Sequence, residues 1–261
     1  MTPVGALDPD RIQSHLRTLR FGRSLDVRQE TRSTNDDARE AAEGGAPDGH
    51  TVVTDEQTRG RGARGRAWSS PPGTDLYFSV VVRPAMDAAA LPTITLAAGL
   101  AVAEAVDRVR DTGPRASVKW PNDVLLDGRK CAGVLAESTS VGQRVSVVVI
   151  GIGLNVNRQS WPEELGDTAT SLALASGGTF DREAVLAEVL ADLERWVDLL
   201  ASAGPACVCR ALEGRLAWRG RWVRVDGIEG RVAGVASTGA LELDTEQGRR
   251  SVTTGSPVLA P

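Results

Sequence analysis

Apolar residues recur along this chain at two spacings, one suited to helices and one to strands. Ile12, Leu16 and Leu19, following Asp8-Pro9, fit one face of a capped helix with proline in its first turn. A short strand follows at 25–29, and Ser33-Thr34-Asn35 opens a helix over 36–43 that Gly44-Gly45 ends. Strand patterns at 51–54 and 76–82 flank a glycine-rich stretch. Beyond them Leu96, Leu100, Ala103 and Val106 give a helix over 91–110 one buried face. Asp127-Gly128 between apolar runs signals a hairpin, with Lys130 at the start of a return strand that reaches Glu137. Gly142-Gln143 should turn the chain into a β-branched buried strand over 144–152. Val185, Val189, Leu193, Trp196 and Leu200 stripe a helix over 181–203, capped by Asp181 and stopped by Gly204-Pro205, with Trp196 in the core.

Past about Gly214 the texture changes to short alternating strands at 222–225, 230–236, 241–243 and 249–253, separated by Gly and Asp turns. The expectation is a catalytic domain over 1–213 and a small β-barrel domain over 214–261. Only about thirty residues precede the first chemical motif, so no operator-reading helix-turn-helix module is expected.

The apolar content of 41% and the 25% of charged residues describe an ordinary soluble globular protein. No signal peptide opens the chain and no apolar run is long enough for a membrane span, which points to a cytoplasmic protein with no membrane partner. Cys131, Cys207 and Cys209 with His15 and His50 do not make a disulfide framework or a zinc site, so no metal site built from protein ligands alone is expected. The net charge of −4 argues against a general nucleic-acid binder.

The positive charge is instead local. In Gln57-Thr-Arg-Gly-Arg-Gly-Ala-Arg-Gly-Arg-Ala-Trp68, four arginines (Arg59, Arg61, Arg64, Arg66) alternate with Gly60, Gly62 and Gly65. Glycines open positive φ and close backbone approach, and guanidinium forks bind anions, so the segment reads as a basic lid strung between two strands. Its Gly-x-Gly-x-x-Gly pattern is not the dinucleotide fingerprint, because no helix follows Gly65. Taken alone, such a run equally fits a solvated surface loop or a single-strand nucleic-acid contact.

Of 30 lysines and arginines, only Lys119 and Lys130 are lysines, and both fall in Ser117-Val-Lys-Trp-Pro-Asn-Asp123 and its hairpin. In a chain that uses arginine elsewhere, a retained lysine suggests a task for a compact ammonium. Pro121 breaks the strand and leaves Asn122 and Asp123 at its mouth. Ser33-Thr34-Asn35 serves equally as a helix cap and as a hydrogen-bonding site for a small polar ring. The glycines of Gly151-Ile-Gly-Leu-Asn155 fit close packing and close approach of a flat ligand equally, and Asn155, placed to meet a ribose or base edge, tips the reading towards the ligand. Together these groups suit activation of a carboxylic acid by ATP, in which Arg and Lys neutralise charge developing on the α-phosphate.

The same residues carry a resemblance. Ser33-Thr-Asn35, Gln57 through Trp68, Lys119-Trp-Pro-Asn-Asp123, Lys130-Cys-Ala-Gly133 and Gly151 to Asn155 resemble, in order and approximate spacing, the biotin–protein ligases that lack a DNA-binding domain. The resemblance implies an α+β fold: a mixed sheet flanked by helices, related to class II aminoacyl-tRNA synthetases, with a C-terminal Src-homology-3-like barrel. It implies that biotin and ATP form biotinyl-5′-AMP and that the biotinyl group passes to a lysine of a biotin carboxyl carrier domain of a carboxylase.

It also implies residue roles. Ser33, Thr34, Asn35 and Gln57 would meet the ureido ring, with Gly133 also on the biotin side, and Arg61, Gly62, Ala63 and Lys130 the carboxylate end. Arg64, Arg66, Trp68, Lys119, Asn122, Asp123 and Asn155 would serve ATP, Asp123 also as partner of its Mg²⁺. Lys130, Arg61 and Lys119 would be catalytic, Lys130 bridging carboxylate and α-phosphate. Monomer and homodimer are both left open. Where the family commonly has Gly-Arg-Gly-Arg-Arg-Gly-Arg, this chain has Ala63, which removes a side chain that helps order the loop in relatives. A lipoate or octanoate ligase of the same fold is the nearest rival, and an Arg/Gly-loop nucleic-acid module the more distant one.

Overall fold

The computed structural model describes residues 5–84, 90–111, 113–141 and 144–260. The turn expected at Gly142-Gln143 lies outside the described residues. The helices are α1 (Pro9–His15), α2 (Thr34–Glu43), α3 (Leu91–Arg110), the short α4 (Glu163–Gly166) and α5 (Leu172–Ser176), α6 (Arg182–Ala203) and α7 (Pro205–Leu212). The first part of the chain carries strands β1 (Leu25–Thr31), β2 (Thr51–Gln57), β3 (Leu76–Val82), β4 (Ser117–Lys119), β5 (Asp123–Leu126), β6 (Arg129–Val141) and β7 (Arg144–Leu154). The last part carries β8 (Trp222–Val225), β9 (Ile228–Val235), β10 (Leu241–Thr245), β11 (Gly248–Val252) and β12 (Val258–Leu259).

Seven strands form one sheet in the order β1-β2-β3-β7-β6-β5-β4. Its β1–β2 pair is parallel and its remaining pairs antiparallel, so the sheet is mixed. Alternation along β3 sets the layers. Leu76, Phe78, Val80 and Val82 enter the main core with α3 and α6, while Val81 packs with Ala38 and Ala42 of α2 on the opposite face. That second face is only partly covered by α2, and there the cleft forms. Among the described residues no helix is long and apolar enough to cross a membrane.

Helix signals were accurate where a cap or stop is local. Asp8 accepts hydrogen bonds from Asp10 and Arg11 N–H groups, and Asp181 from those of Glu183 and Ala184. Such caps contribute about 1 kcal/mol each. The first helix, however, ends at His15. Leu16 stays buried beyond it, but Leu19 is 87% exposed rather than part of an apolar face. Its N–H, with those of Arg20 and Phe21, instead goes to the Glu194 carboxylate of α6, so a long-range polar contact directs the chain here.

The C-terminal strands form a five-stranded antiparallel sheet, β11-β10-β9-β8-β12. Just before it, Arg215 and Ala217 hydrogen-bond Val118 of β4, extending the edge of the large sheet. The Trp120 indole N–H donates to the Gly239 carbonyl at 2.9 Å.

Candidate active site

A cleft of about 440 Å³ lies on the α2 face of the large sheet, and most of the expected site residues line it. Its floor is made by facing strands: Gly133, Leu135 and Glu137 of β6 pair with Gly153, Gly151 and Val149 of β7. Strict alternation would turn Lys130 away from Gly133 towards the core. An extra residue prevents this: the register shifts so that Val124 faces Ala132 and Leu125 faces Lys130, with Cys131 bulged between. Cys131 and Ala132 both enter the core, and Lys130 lines the cleft. Burial pushes the Cys131 thiol up to about 12, so it is inert as a nucleophile at neutral pH.

The floor glycines are required by what lies over them. A Cβ on Gly151 would be 1.8 Å from Asn35 Oδ1, and a Cβ on Gly153 would be 2.4 Å from the Trp68 ring. At one end of the cleft Ser33, Thr34 and Asn35 are buried at the start of α2. Ser33 occupies the N-cap position but makes no capping hydrogen bond with its side chain, so the cap reading is not realised. The others form a chain of polar contacts. Ser79 Oγ donates to Asn35 Oδ1 at 2.7 Å and lies 2.8 Å from Thr34 Oγ1. The Thr34 N–H donates to Gln57 Oε1 at 3.0 Å, and Gln57 Nε2 donates to Ser70 Oγ at 2.9 Å.

The basic segment folds as a narrow hairpin. Trp68 N–H donates to the Gly60 carbonyl, Gly62 N–H donates to the Arg66 carbonyl, and a single turn at Ala63–Gly65 forms the tip. Of its glycines only Gly65 has positive φ, and the other left-handed residue is Arg64 (φ 62°). Gly60 is needed for closeness, since a Cβ there would lie 2.4 Å from the Trp68 carbonyl oxygen. The arginines do not all converge on the cleft. Arg61 is bidentate to Glu137 at 2.9 and 2.7 Å and also meets Asp36, while Arg64 reaches Asp226 of the C-terminal sheet at 3.8 Å.

At the other end Asp123 gathers the two lysines. Lys130 Nζ lies 2.5 Å from Asp123 Oδ1 and Lys119 Nζ 3.9 Å from Oδ2. Both ammonium groups also face aromatic rings, Lys130 over Trp68 at 5.0 Å and Lys119 over Trp218 at 4.9 Å. Burial, with Lys130 and Arg66 nearby, lowers the Lys119 pKa from its ordinary value despite Asp123. Among the described residues no group of three or more His, Cys, Asp or Glu could hold a metal ion. Asp123, with an ammonium beside each oxygen, is committed to the lysines, which does not fit a direct Mg²⁺ ligand.

Asn122 and Asn155 line the cleft, but their amide NH₂ groups are committed to the protein. Asn122 donates to the Val134 carbonyl at 2.8 Å and Asn155 to the Thr170 carbonyl at 2.9 Å. Sequence reasoning missed Glu137, Trp218 and Arg158 as lining or bracing residues. Arg158 Nη2 donates to Ser69 Oγ at 3.1 Å, and its guanidinium stacks on Trp161 at 5.2 Å, fixing the outgoing end of the loop. Its only local signal is its place just after Asn155 and Asn157.

The geometry has parallels in known proteins. The model of the biotin/lipoate A/B protein ligase family matches residues 27–155. A bifunctional ligase/repressor BirA of Bacillus spizizenii is 34% identical over 95% of this chain and 78% of its own. A biotin–[acetyl-CoA-carboxylase] ligase of Mycobacterium tuberculosis is 38% identical over 78% of this chain and 77% of its own. Among solved structures, a biotin protein ligase from Aquifex aeolicus in complex with biotin and ATP superposes with a TM-score of 0.79 at 31% identity, covering 91% of this chain and 99% of that one. The mixed sheet, the cleft motifs in their order and these likenesses over most of the chain agree: the chain belongs to the biotin–protein ligase family.

Proposed function

We propose that this protein joins biotin to ATP and passes the biotinyl group to a lysine of a biotin carboxyl carrier domain in the cytoplasm. The observation that carries the reading is the convergence in one cleft of two ammonium groups, the base of an arginine-rich loop and a separate polar end of ring size. In the first step a biotin carboxylate oxygen attacks the α-phosphorus of ATP, the bond to the β-phosphate breaks, and pyrophosphate leaves. In the second, the carrier lysine amine attacks the acyl carbon, AMP leaves with the bonding electrons, and the nitrogen loses its proton.

Ser33, Thr34, Asn35 and Gln57 are read as the ureido site, and Lys130 as the group between carboxylate and α-phosphate. Lys119 and Arg66 are read as phosphate contacts. Trp68 is read as a wall between the acyl and nucleotide parts, and Asn122 and Asn155 as braces of the nucleotide end. Mg²⁺ enters as part of MgATP and would share the phosphate charge, with Asp123 holding the lysines in place. Residues 214–261 are read as a separate small domain that brings Trp218 to Lys119. The polar side chains of the ring end favour a ureido group over the alkyl tail of lipoate or octanoate. The neutralisation of Arg61 by Glu137 and Asp36 disfavours the nucleic-acid reading. Biotin-dependent exchange of pyrophosphate into ATP tests the proposal; exchange driven by lipoate and not by biotin would reject it.

Two further outcomes are expected. Ala63 lines the cleft at the loop tip and contributes only a methyl group. Ala63→Arg should retain the adenylate longer, so the wild type should release biotinyl-AMP faster in a stopped single-turnover assay. Equal release rates would remove this role for position 63. The lowered Lys119 pKa means that its charge is lost as pH rises through a value below the ordinary lysine range. The KM for ATP should therefore climb with pH before an ordinary lysine titrates, and Lys119→Arg, which stays cationic, should shift that climb upward.

A further inference from the structure

One carboxylate outside the expected site joins its polar end to the basic loop. Glu137 accepts from Asn35 Nδ2 at 2.8 Å, from Arg39 Nη2 at 3.0 Å and from both terminal nitrogens of Arg61. Asp36 completes the group, 2.9 Å from Arg61 Nη2 and 3.2 Å from Arg39 Nη1. The Glu137 carboxyl is held below its usual range because the Asn35 hydrogen bond and the Arg61 and Arg39 charges outweigh its burial. An ionised carboxylate can only accept, and that fact has reach here. The two ends of an asparagine amide are nearly alike in shape, so its orientation is set by hydrogen-bond partners. Glu137, the nearer of two acceptors at 2.8 Å with the Leu135 carbonyl at 3.4 Å, admits only the Asn35 NH₂ group, which turns Oδ1 towards Ser79. Ser79 has a single proton and spends it on Oδ1, so the Thr34 hydroxyl keeps its own proton, with Ser79 Oγ at 2.8 Å and Gln57 Oε1 at 3.2 Å as its acceptors.

We infer that Glu137 is a positioning residue that sets the donor and acceptor sense of the Asn35–Ser79–Thr34 chain and, through Arg61, fastens the basic loop beside it. The loop part stands on geometry alone, and the consequence for biotin rests on the proposed function.

The test compares wild type with Glu137→Ala, Glu137→Gln, Arg61→Gln and the Glu137→Ala/Arg61→Gln double variant. Amide hydrogen exchange over residues 58–68 of the free protein reads the loop, α3 exchange and the melting temperature report folding, and pyrophosphate exchange gives KM for biotin and kcat separately. Glu137→Ala should speed exchange at Gly62 and Trp68 about tenfold with α3 unchanged, and the double variant should be no faster than either single one. It should raise KM for biotin about tenfold while kcat changes less than about threefold.

Glu137→Gln is the sharper variant. Asn35, Arg39 and Arg61 Nη2 all meet Glu137 Oε2, so a glutamine NH₂ turned there to donate to a flipped Asn35 leaves only Arg61 Nη1 on its carbonyl. Loop protection should return in part, through the remaining Arg61 Nη1 bond, while KM for biotin stays raised. Unchanged loop exchange in Glu137→Ala, or Glu137→Gln restoring both readouts, would overturn the inference. A wild type without biotin-dependent exchange would instead defeat the functional reading, and the loop comparison alone would then decide the fastening role.

Discussion

Lys130→Ala should lower biotin-dependent pyrophosphate exchange by about 10²–10³-fold, the scale seen when one preorganised charge-stabilising donor is removed. Lys119 cannot substitute, because it sits on the far oxygen of Asp123, 3.9 Å away, and faces Trp218. Loss of Lys130 also leaves Asp123, whose side chain is 8% exposed, without its close partner, so instability adds to the effect. The Lys130→Ala/Asp123→Asn double variant separates the two. It removes the carboxylate that Lys130 no longer pairs, at the expense of the longer Lys119 contact, and it should recover part of the melting temperature without recovering exchange. Lys130→Arg should rescue poorly, since the ammonium lies over the Trp68 ring and a Cβ on Gly133 would stand 3.2 Å from it, leaving little room for a guanidinium. Recovery of exchange in the double variant would assign Lys130 to holding Asp123 and not to the reaction.

Gly151→Ala should raise KM for biotin by about 10–100-fold, the equivalent of roughly 1–3 kcal/mol for disrupting a buried polar chain. The added carbon would fall 1.8 Å from Asn35 Oδ1 and 2.8 Å from its Cγ, a separation no small adjustment relieves. Asn35 cannot yield without breaking the bond from Ser79 on one side and the bond to Glu137 on the other. The KM for ATP should stay nearly unchanged, because Asn35 lies at the polar end remote from the lysines. Gly153→Ala is the matched contrast: its Cβ meets the Trp68 indole 2.4 Å away and should act on kcat and ATP binding through the loop. Steady-state titration of each substrate against both variants checks the division. Equal effects of the two variants on both KM values would mean that the cleft has no such separate ends.

These two glycines also show where sequence reading reaches its limit. Gly151 and Gly153 fitted close packing and close approach of a ligand equally well, and in this structure the protein's own Asn35 and Trp68 lie against them. Features fixed by neighbours in sequence were legible. Asp127 and Gly128 take the positive φ values of 50° and 77° that their hairpin requires, and Trp196 is buried as its stripe implied, with its indole N–H on Glu104.

Features fixed across the chain were not legible. The bulge at Cys131 that turns Lys130 into the cleft leaves no mark in the hydrophobic pattern, because Cys131 and Ala132 are both compatible with a core. The pairing of Arg61 with Glu137 joins residues 76 apart, and charge identity alone cannot choose partners in a chain so rich in arginine. Leu19 failed for the complementary reason: its spacing fits a helix, but the Glu194 carboxylate captures the N–H groups of the segment and redirects it. Grouping of the lysines around Asp123 was expected from one hairpin, and the structure adds the distances and the two aromatic faces.

The decisive measurement follows one oxygen atom. Biotin labelled with heavy oxygen in its carboxylate is incubated with the protein, MgATP and an acceptor carrier domain, and the AMP released is weighed by mass spectrometry. Attack of the carboxylate on the α-phosphorus requires that each AMP carry one labelled oxygen and that the carrier gain a biotinyl amide. Unlabelled AMP, or label recovered in inorganic phosphate, would contradict activation at the α-phosphate in this cleft.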